Sequence, residues 1–378
     1  MDQQLTAPGQ AESASRGHEL SYDGKGGEIA KIALTNGLLG LVTLGVYRFW
    51  GKTRLRRYLW SHVSLDGDRL EYTGRGIELF LGFLVVTLFL AVLFGGAYVI
   101  GLALGLSFAE AEGLKLIFFL ILVLLIPVAI YRARRYRLSR TTWRGIRGGQ
   151  TGSAFKYALM SIGLILLVTL TLGFAYPYYR TALQRYCMKN TWFGDQGFEF
   201  DANAWDLFGK WVIALVLYIF TAGFSLFWYW IVEFRYYAGC TRFMGAQFSS
   251  KLDTGRMIGI VILAYIAMIV YMLVMIGVAI ALAATLAPDT LKDFGEATGD
   301  PSTQPPIGFV IGVLIFGLVT ALGVGVIQTV FVIQPMVAEV IKSLSIEGEI
   351  DFETLAQSAQ RGPRHGEGLA DALDLSPI

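Results

Sequence analysis

Seven stretches of the chain are almost wholly apolar, and polar runs studded with aromatic residues separate them: 29–47, 79–104, 116–130, 155–176, 211–230, 258–286 and 307–333. A helix needs about 20 such residues to cross a hydrocarbon core of roughly 30 Å. The pattern therefore predicts an all-α polytopic membrane protein with about seven transmembrane helices joined by short juxtamembrane loops. Between the first two stretches, His62–Leu65 and Arg69–Tyr72 alternate around Asp66-Gly67. That is a hairpin signal, and it predicts a small β-element beside the helix ends. The polar ends, 1–21 and 354–378, read as disordered tails flanking a membrane domain over 22–353.

Composition agrees with the membrane class. Hydrophobic residues make up 54% of the chain and charged residues 16%, against about 25% charged in ordinary globular domains. A net charge of +2 gives no footprint for nucleic acid. Trp and Tyr gather at the ends of the apolar stretches, as in an interfacial aromatic belt. With seven spans, Lys and Arg divide 21 against 7 between the two sides. By the positive-inside rule this places the N-terminus outside and the C-terminus in the cytoplasm.

Short patterns recur at the edges of the apolar stretches. Tyr22-x-Gly24-Lys25-Gly26-x-Glu28 matches Tyr72-x-Gly74-Arg75-Gly76-x-Glu78, and Arg54-x-Arg56-Arg57-Tyr58 matches Arg132-x-Arg134-Arg135-Tyr136. Thr43-Leu44-Gly45 is echoed by Thr171-Leu172-Gly173 and Thr221-Ala222-Gly223. Seven spans would scatter these internal repeats over both faces of the membrane. Either the copies are inverted about the membrane plane, or the first, fourth and fifth stretches dip in and return, leaving four spans. Re-entrant backbone must be buried in protein or line a wet cavity, so seven spans is the preferred reading.

Candidate chemistry is sparse. The three histidines are scattered and the two cysteines lie far apart, so no metal-ligand spacing appears. No nucleophile elbow, phosphate loop or dinucleotide fingerprint follows a predicted strand. The expectation is no enzyme, no catalytic residue, no metal and no cofactor. Intramembrane polar groups are the default functional candidates, and Asn36, within Thr35-Asn36-Gly37, is the most conspicuous. Arg54, Arg56, Arg57, Arg132, Arg134 and Arg135 form the strongest electrostatic feature. They are candidate contacts for anions or anionic lipid headgroups, each charge worth about 1 kcal/mol near such a surface. The partners expected are the bilayer and its anionic headgroups, with no nucleic acid and no legible protein partner. Two functions follow: a transporter or permease of a small solute, or a non-transporting scaffold that engages anionic lipid through a basic, aromatic cytoplasmic face.

The block Gly24-Lys25-Gly26-Gly27-Glu28, Thr43-Leu44-Gly45-Val46-Tyr47-x-x-Trp50, Arg54-x-Arg56-Arg57-Tyr58, Leu65-Asp66-Gly67 and Tyr72-x-Gly74 resembles the YjgN family of bacterial inner-membrane proteins, a family of unknown function. The resemblance runs from about Tyr22 to Phe352 and weakens in the later copies. It implies a location in the bacterial inner membrane and supplies no active site.

Overall fold

The computed structural model describes residues 17–103, 105, 112–286 and 307–358. Its base is a closed barrel of ten short antiparallel strands: β1 (His18–Tyr22), β2 (Val63–Leu65), β3 (Asp68–Tyr72), β4 (Thr141–Trp143), β5 (Ile146–Gln150), β6 (Thr191–Phe193), β7 (Gln196–Phe200), β8 (Thr241–Phe243), β9 (Ala246–Ser250) and β10 (Leu344–Glu347). Neighbours follow chain order around the wall, and β1 closes on both β2 and β10. Four tight turns join β2 to β3, β4 to β5, β6 to β7 and β8 to β9. Three of them place two consecutive residues at positive φ: Asp66-Gly67, Arg144-Gly145 and Met244-Gly245. That is the turn geometry whose twist matches flanking strands.

Among the described residues, the first four connections between neighbouring hairpins are helical pairs, and the fifth also leaves and returns through helices. Between β1 and β2 run α1 (Gly26–Val42) and α2 (Arg48–Ser61); between β3 and β4, α3 (Gly76–Ala103) and α4 (Glu112–Arg140); between β5 and β6, α5 (Ala154–Leu170) and α6 (Tyr176–Lys189). Between β7 and β8 run α7 (Trp205–Leu217) and α8 (Phe224–Gly239), and between β9 and β10, α9 (Thr254–Leu286) and then α10 (Ile307–Ile327). A π-helical turn over Gln328–Ile333 joins α10 to α11 (Gln334–Ser343). It precedes Pro335, whose missing N–H interrupts the regular ladder. Each helical pair starts and ends at paired strand residues: Tyr22↔Val63, Tyr72↔Thr141, Gln150↔Thr191, Phe200↔Thr241 and Ser250↔Leu344.

This overturns the expectation of about seven transmembrane helices. Among the described residues, three helices are long and apolar enough to span: Gly76–Ala103, Thr254–Leu282 and Val310–Ser343. α4 is comparable in length but ends in the arginine-rich run Arg132–Arg140. The helices of the first, fourth and fifth apolar stretches are shorter. α1 and α5, at 17 residues each, rise about 25 Å, and α7, at 13 residues, about 20 Å. Each then reverses at a left-handed pair: Leu44-Gly45, Leu172-Gly173 and Ala222-Gly223. The fifth stretch, 211–230, was one apolar run in sequence but folds as two helices because that reversal falls in its middle. The expectation that the two ends lie on opposite sides falls with it, since β1 pairs with β10 and both ends of the described chain meet on one side. The β-element is also larger than one hairpin.

The expected N-terminal tail includes β1; its residues 1–16, and those of the C-terminal tail beyond 358, lie outside the described residues. Inside the barrel, Leu20, Leu65, Phe193, Phe198, Phe243 and Ile346 form an apolar core. The segment after β10 is seated in it through Ile350, Phe352 and Leu355. Trp143 and Phe352 meet edge to face with ring centroids 4.7 Å apart, and His18 Nε2 accepts the Ile350 N–H at 3.2 Å.

Candidate functional site

Where the first four helical pairs re-enter the barrel, an Arg-Tyr dipeptide sits in the last two turns of the returning helix: Arg57-Tyr58, Arg135-Tyr136, Arg185-Tyr186 and Arg235-Tyr236. The arginines reach forward to the carbonyl that leads into the next pair. Arg57 Nη2 donates to Gly74 O at 3.1 Å, and Arg135, Arg185 and Arg235 donate likewise to Gly152, Ala202 and Leu252. The tyrosines reach back to the start of their own pair. Tyr58 Oη takes the Lys25 N–H at 2.8 Å and donates to Lys25 O at 3.1 Å; Tyr186 does the same at Ser153 and Tyr236 at Asn203. Tyr136 instead donates to Glu78 Oε2 at 2.6 Å, in the first turn of α3. Charge-assisted bonds are the stronger kind, so this dipeptide fixes the spacing of the helical pairs around the rim.

The sequence-predicted arginines thus divide. Arg57 and Arg135 are engaged by backbone carbonyls. Arg56 is buried, and Arg134 approaches Met188 Sδ at 3.5 Å. Arg54 and Arg132 are exposed. Asn36 lies apart from all of them, midway along α1, where its Nδ2 donates to Gly51 O of α2 at 3.0 Å. Its Oδ1 is buried without a hydrogen-bond partner. Interhelical stapling accounts for the amide nitrogen and leaves the oxygen unaccounted for.

A cavity of about 300 Å³ lies between α6, α8 and the rim of β8–β10, with Arg180, Trp230, Glu233, Phe234, Tyr237 and Phe248 in its walls. Glu233 is 2% exposed. Arg180 grips its carboxylate through Nε, at 3.2 Å to both oxygens, and through Nη2, at 3.0 Å. The Tyr237 hydroxyl adds a contact to Glu233 Oε1 at 3.3 Å and meets Thr181 Oγ1 at 3.0 Å. Sequence reasoning missed this pairing, because Arg180 and Glu233 are 53 positions apart and follow different apolar stretches. Among the described residues no group of three or more His, Cys, Asp or Glu side chains is placed to hold a metal ion.

Residues 17–372 match the family described as "Bacterial protein of unknown function (DUF898)". The chain belongs to this family. Its curated relatives include the "Inner membrane protein YjgN" of Salmonella typhimurium (strain LT2), 28% identical over 155 residues, or 40% of this chain and 37% of the relative. The protein of the same name from Escherichia coli O157:H7 is 30% identical over 134 residues, covering 34% of this chain and 30% of the relative. The matched stretches therefore span about a third of these relatives. No solved structure matches. Membership in this family, the relatives' names and the long apolar helices together make this a membrane protein.

Proposed function

We propose that the protein is a non-transporting scaffold of the inner membrane that engages lipid, built on a barrel at the cytoplasmic face. The observation that carries this reading is the construction of the three short helical pairs. They end in apolar tips where Leu44 is 93%, Leu172 85% and Phe220 82% exposed. Each tip satisfies its own backbone. Thr43 Oγ1 donates to Leu39 O and accepts the Tyr47 N–H; Thr171 does so with Leu167 and Ala175, and Thr221 with Leu217 and Ser225. The glycine N–H closes back on the carbonyl five residues earlier in all three: Gly45 on Gly40, Gly173 on Val168, Gly223 on Tyr218. Reversing a chain in hydrocarbon is costly because of unpaired polar groups, and these bonds remove much of that cost. A solute path along the barrel axis would have to cross the packed core around Phe243 and Phe352, which favours lipid engagement over permeation.

Orientation follows from charge. The connections from α3 to α4 and from α9 to α10 carry little positive charge. Over 104–115 and 287–306 the basic residues are Lys115 and Lys292, while the arginine runs lie at the barrel rim. The positive-inside rule then favours a cytoplasmic barrel, with both ends of the described chain on that side. The recurring Thr-x-Gly tips and Arg-Tyr anchors also support an internal repeat of one strand–helix–helix–strand unit. Spin labels at 172 and 220 in bilayers test the reading. Hydrocarbon-like oxygen accessibility is expected, with depth short of the far headgroups. Exposure to a water-soluble relaxant equal to that of the barrel turns would end it.

A further inference from the structure

Arg180 lies five residues tipward of Arg185, which is fixed at the level where α7 begins. Arg180 is about one and a half turns tipward on α6, and its cavity still reaches Thr241 of β8, Phe248 of β9 and Leu344 of β10. The arginine faces a carboxylate that is almost wholly buried, yet its own side chain keeps 42% of its surface. A purely structural ion pair needs no cavity beside it, and this one has about 300 Å³ of space. That volume lies at the small end of ligand pockets and suits a head group rather than a whole amphiphile.

The walls define the ligand's chemistry. Trp230, Phe234 and Tyr237 offer three aromatic side chains in the same lining as Glu233, and the Tyr237 hydroxyl touches its carboxylate. Aromatic rings beside an anion are the recognition chemistry of an organic ammonium. Arg180 holds Glu233 with Nε and Nη2, leaving its Nη1 amino group outside that contact. A guanidinium edge recognises phosphate. The lining thus carries both signs, with no surplus of either between Arg180 and Glu233. A simple anion or a simple cation would be opposed by one member of the pair, whereas a zwitterion addresses both.

We infer that this cavity binds a zwitterionic ammonium phosphate, with the ammonium among Trp230, Phe234 and Glu233 and the phosphate at Arg180. The inference rests on the lipid-engagement reading and gives it a head-group class. One source of this chemistry is an aminophospholipid; the other is a free amino-alkyl phosphate.

The test titrates the full chain, delipidated in detergent, with phosphatidylethanolamine, with phosphatidylglycerol of the same acyl chains, and with free phosphoethanolamine, following tryptophan fluorescence. The ethanolamine lipid should bind about tenfold more tightly than the glycerol lipid. Trp230→Leu, which spares the ion pair, should abolish that preference, as should Glu233→Gln. Binding of free phosphoethanolamine as strong as the lipid's assigns the site to a soluble zwitterion, and lipid-only binding assigns it to the membrane. Equal affinity for the two lipids, no binding of either zwitterion, or a preference that survives Trp230→Leu would overturn the inference. If tip labels still report hydrocarbon in that event, lipid engagement stands and the cavity assignment alone falls.

Discussion

Tyr22 and Val63 stand opposite each other on β1 and β2, although two helices separate them in the chain. Whatever leaves the barrel at Tyr22 must therefore return to it at Val63, and the same holds for Gln150 with Thr191 and Phe200 with Thr241. Single cysteines at positions 23, 195 and 245, in a background with Cys187 and Cys240 replaced by alanine, should label from the same side as a C-terminal tag. Labelling of 23 and 195 from the side opposite 245 would restore a chain that crosses at every apolar stretch.

The tip threonines make a sharper test of the same architecture. Thr171→Val keeps the shape but removes the acceptor for the Ala175 N–H and the donor to Leu167 O. An orphaned donor in a water-poor setting costs about 1–3 kcal/mol. Thr171→Ser should retain most of the stability, measured by thermal unfolding in nanodiscs, and Thr221 should behave alike. Equal stability for Val and Ser variants at both positions would mean that water, not the hydroxyl, satisfies the tip.

Parts of this fold were visible in the residues and parts were not. Asp66-Gly67 announced a hairpin because both residue types tolerate positive φ. Arg144 and Met244 adopt the same conformation with no such signal, and strands of three to five residues are too short for periodicity to register. The barrel closes through pairings such as His18↔Ile346, which no local pattern encodes. Hydropathy read α5 as a span because it measures apolar length, not whether the chain reverses beyond it. The three Thr-x-Gly copies were legible, and so was a reversal at each, but crossing was preferred because a reversal in hydrocarbon needs its backbone groups paired. The arginine runs were plain in the sequence, but their partners are set by the barrel. A charge that seemed free for lipid, such as Arg135, is committed to the Gly152 carbonyl. The Arg180–Glu233 contact depends on α6 meeting α8, so no spacing rule reveals it.

The Arg-Tyr anchors separate into two functions that one dipeptide can report. Arg185 reaches forward to Ala202, while Tyr186 reaches back to Ser153. Arg185→Lys replaces a planar fork with a point charge and should cost about 1–2 kcal/mol. In hydrogen exchange it should speed amides at the start of α7 and leave the start of α5 unchanged. Tyr186→Phe should do the reverse. Identical exchange maps for the two variants would remove the forward-and-back assignment.

Asp253 links the barrel rim to acid stability. It precedes α9 and its Oδ1 accepts the Arg256 N–H at 2.8 Å, the bond of a helix N-cap. That backbone hydrogen bond, helped by the Gly255 N–H and by the Arg256 and Arg235 charges, holds its carboxyl below the usual aspartate value. A depressed folded-state pKa means the contribution is present above the unfolded value near 3.9 and is lost as pH falls through the lower folded one. Asp253→Asn keeps a capping side chain but removes the titration. Between pH 5 and pH 3 the parent should therefore lose more stability than the Asn variant, as read by the unfolding midpoint in detergent. Parallel pH profiles for the two proteins would show that the cap does not titrate in this window.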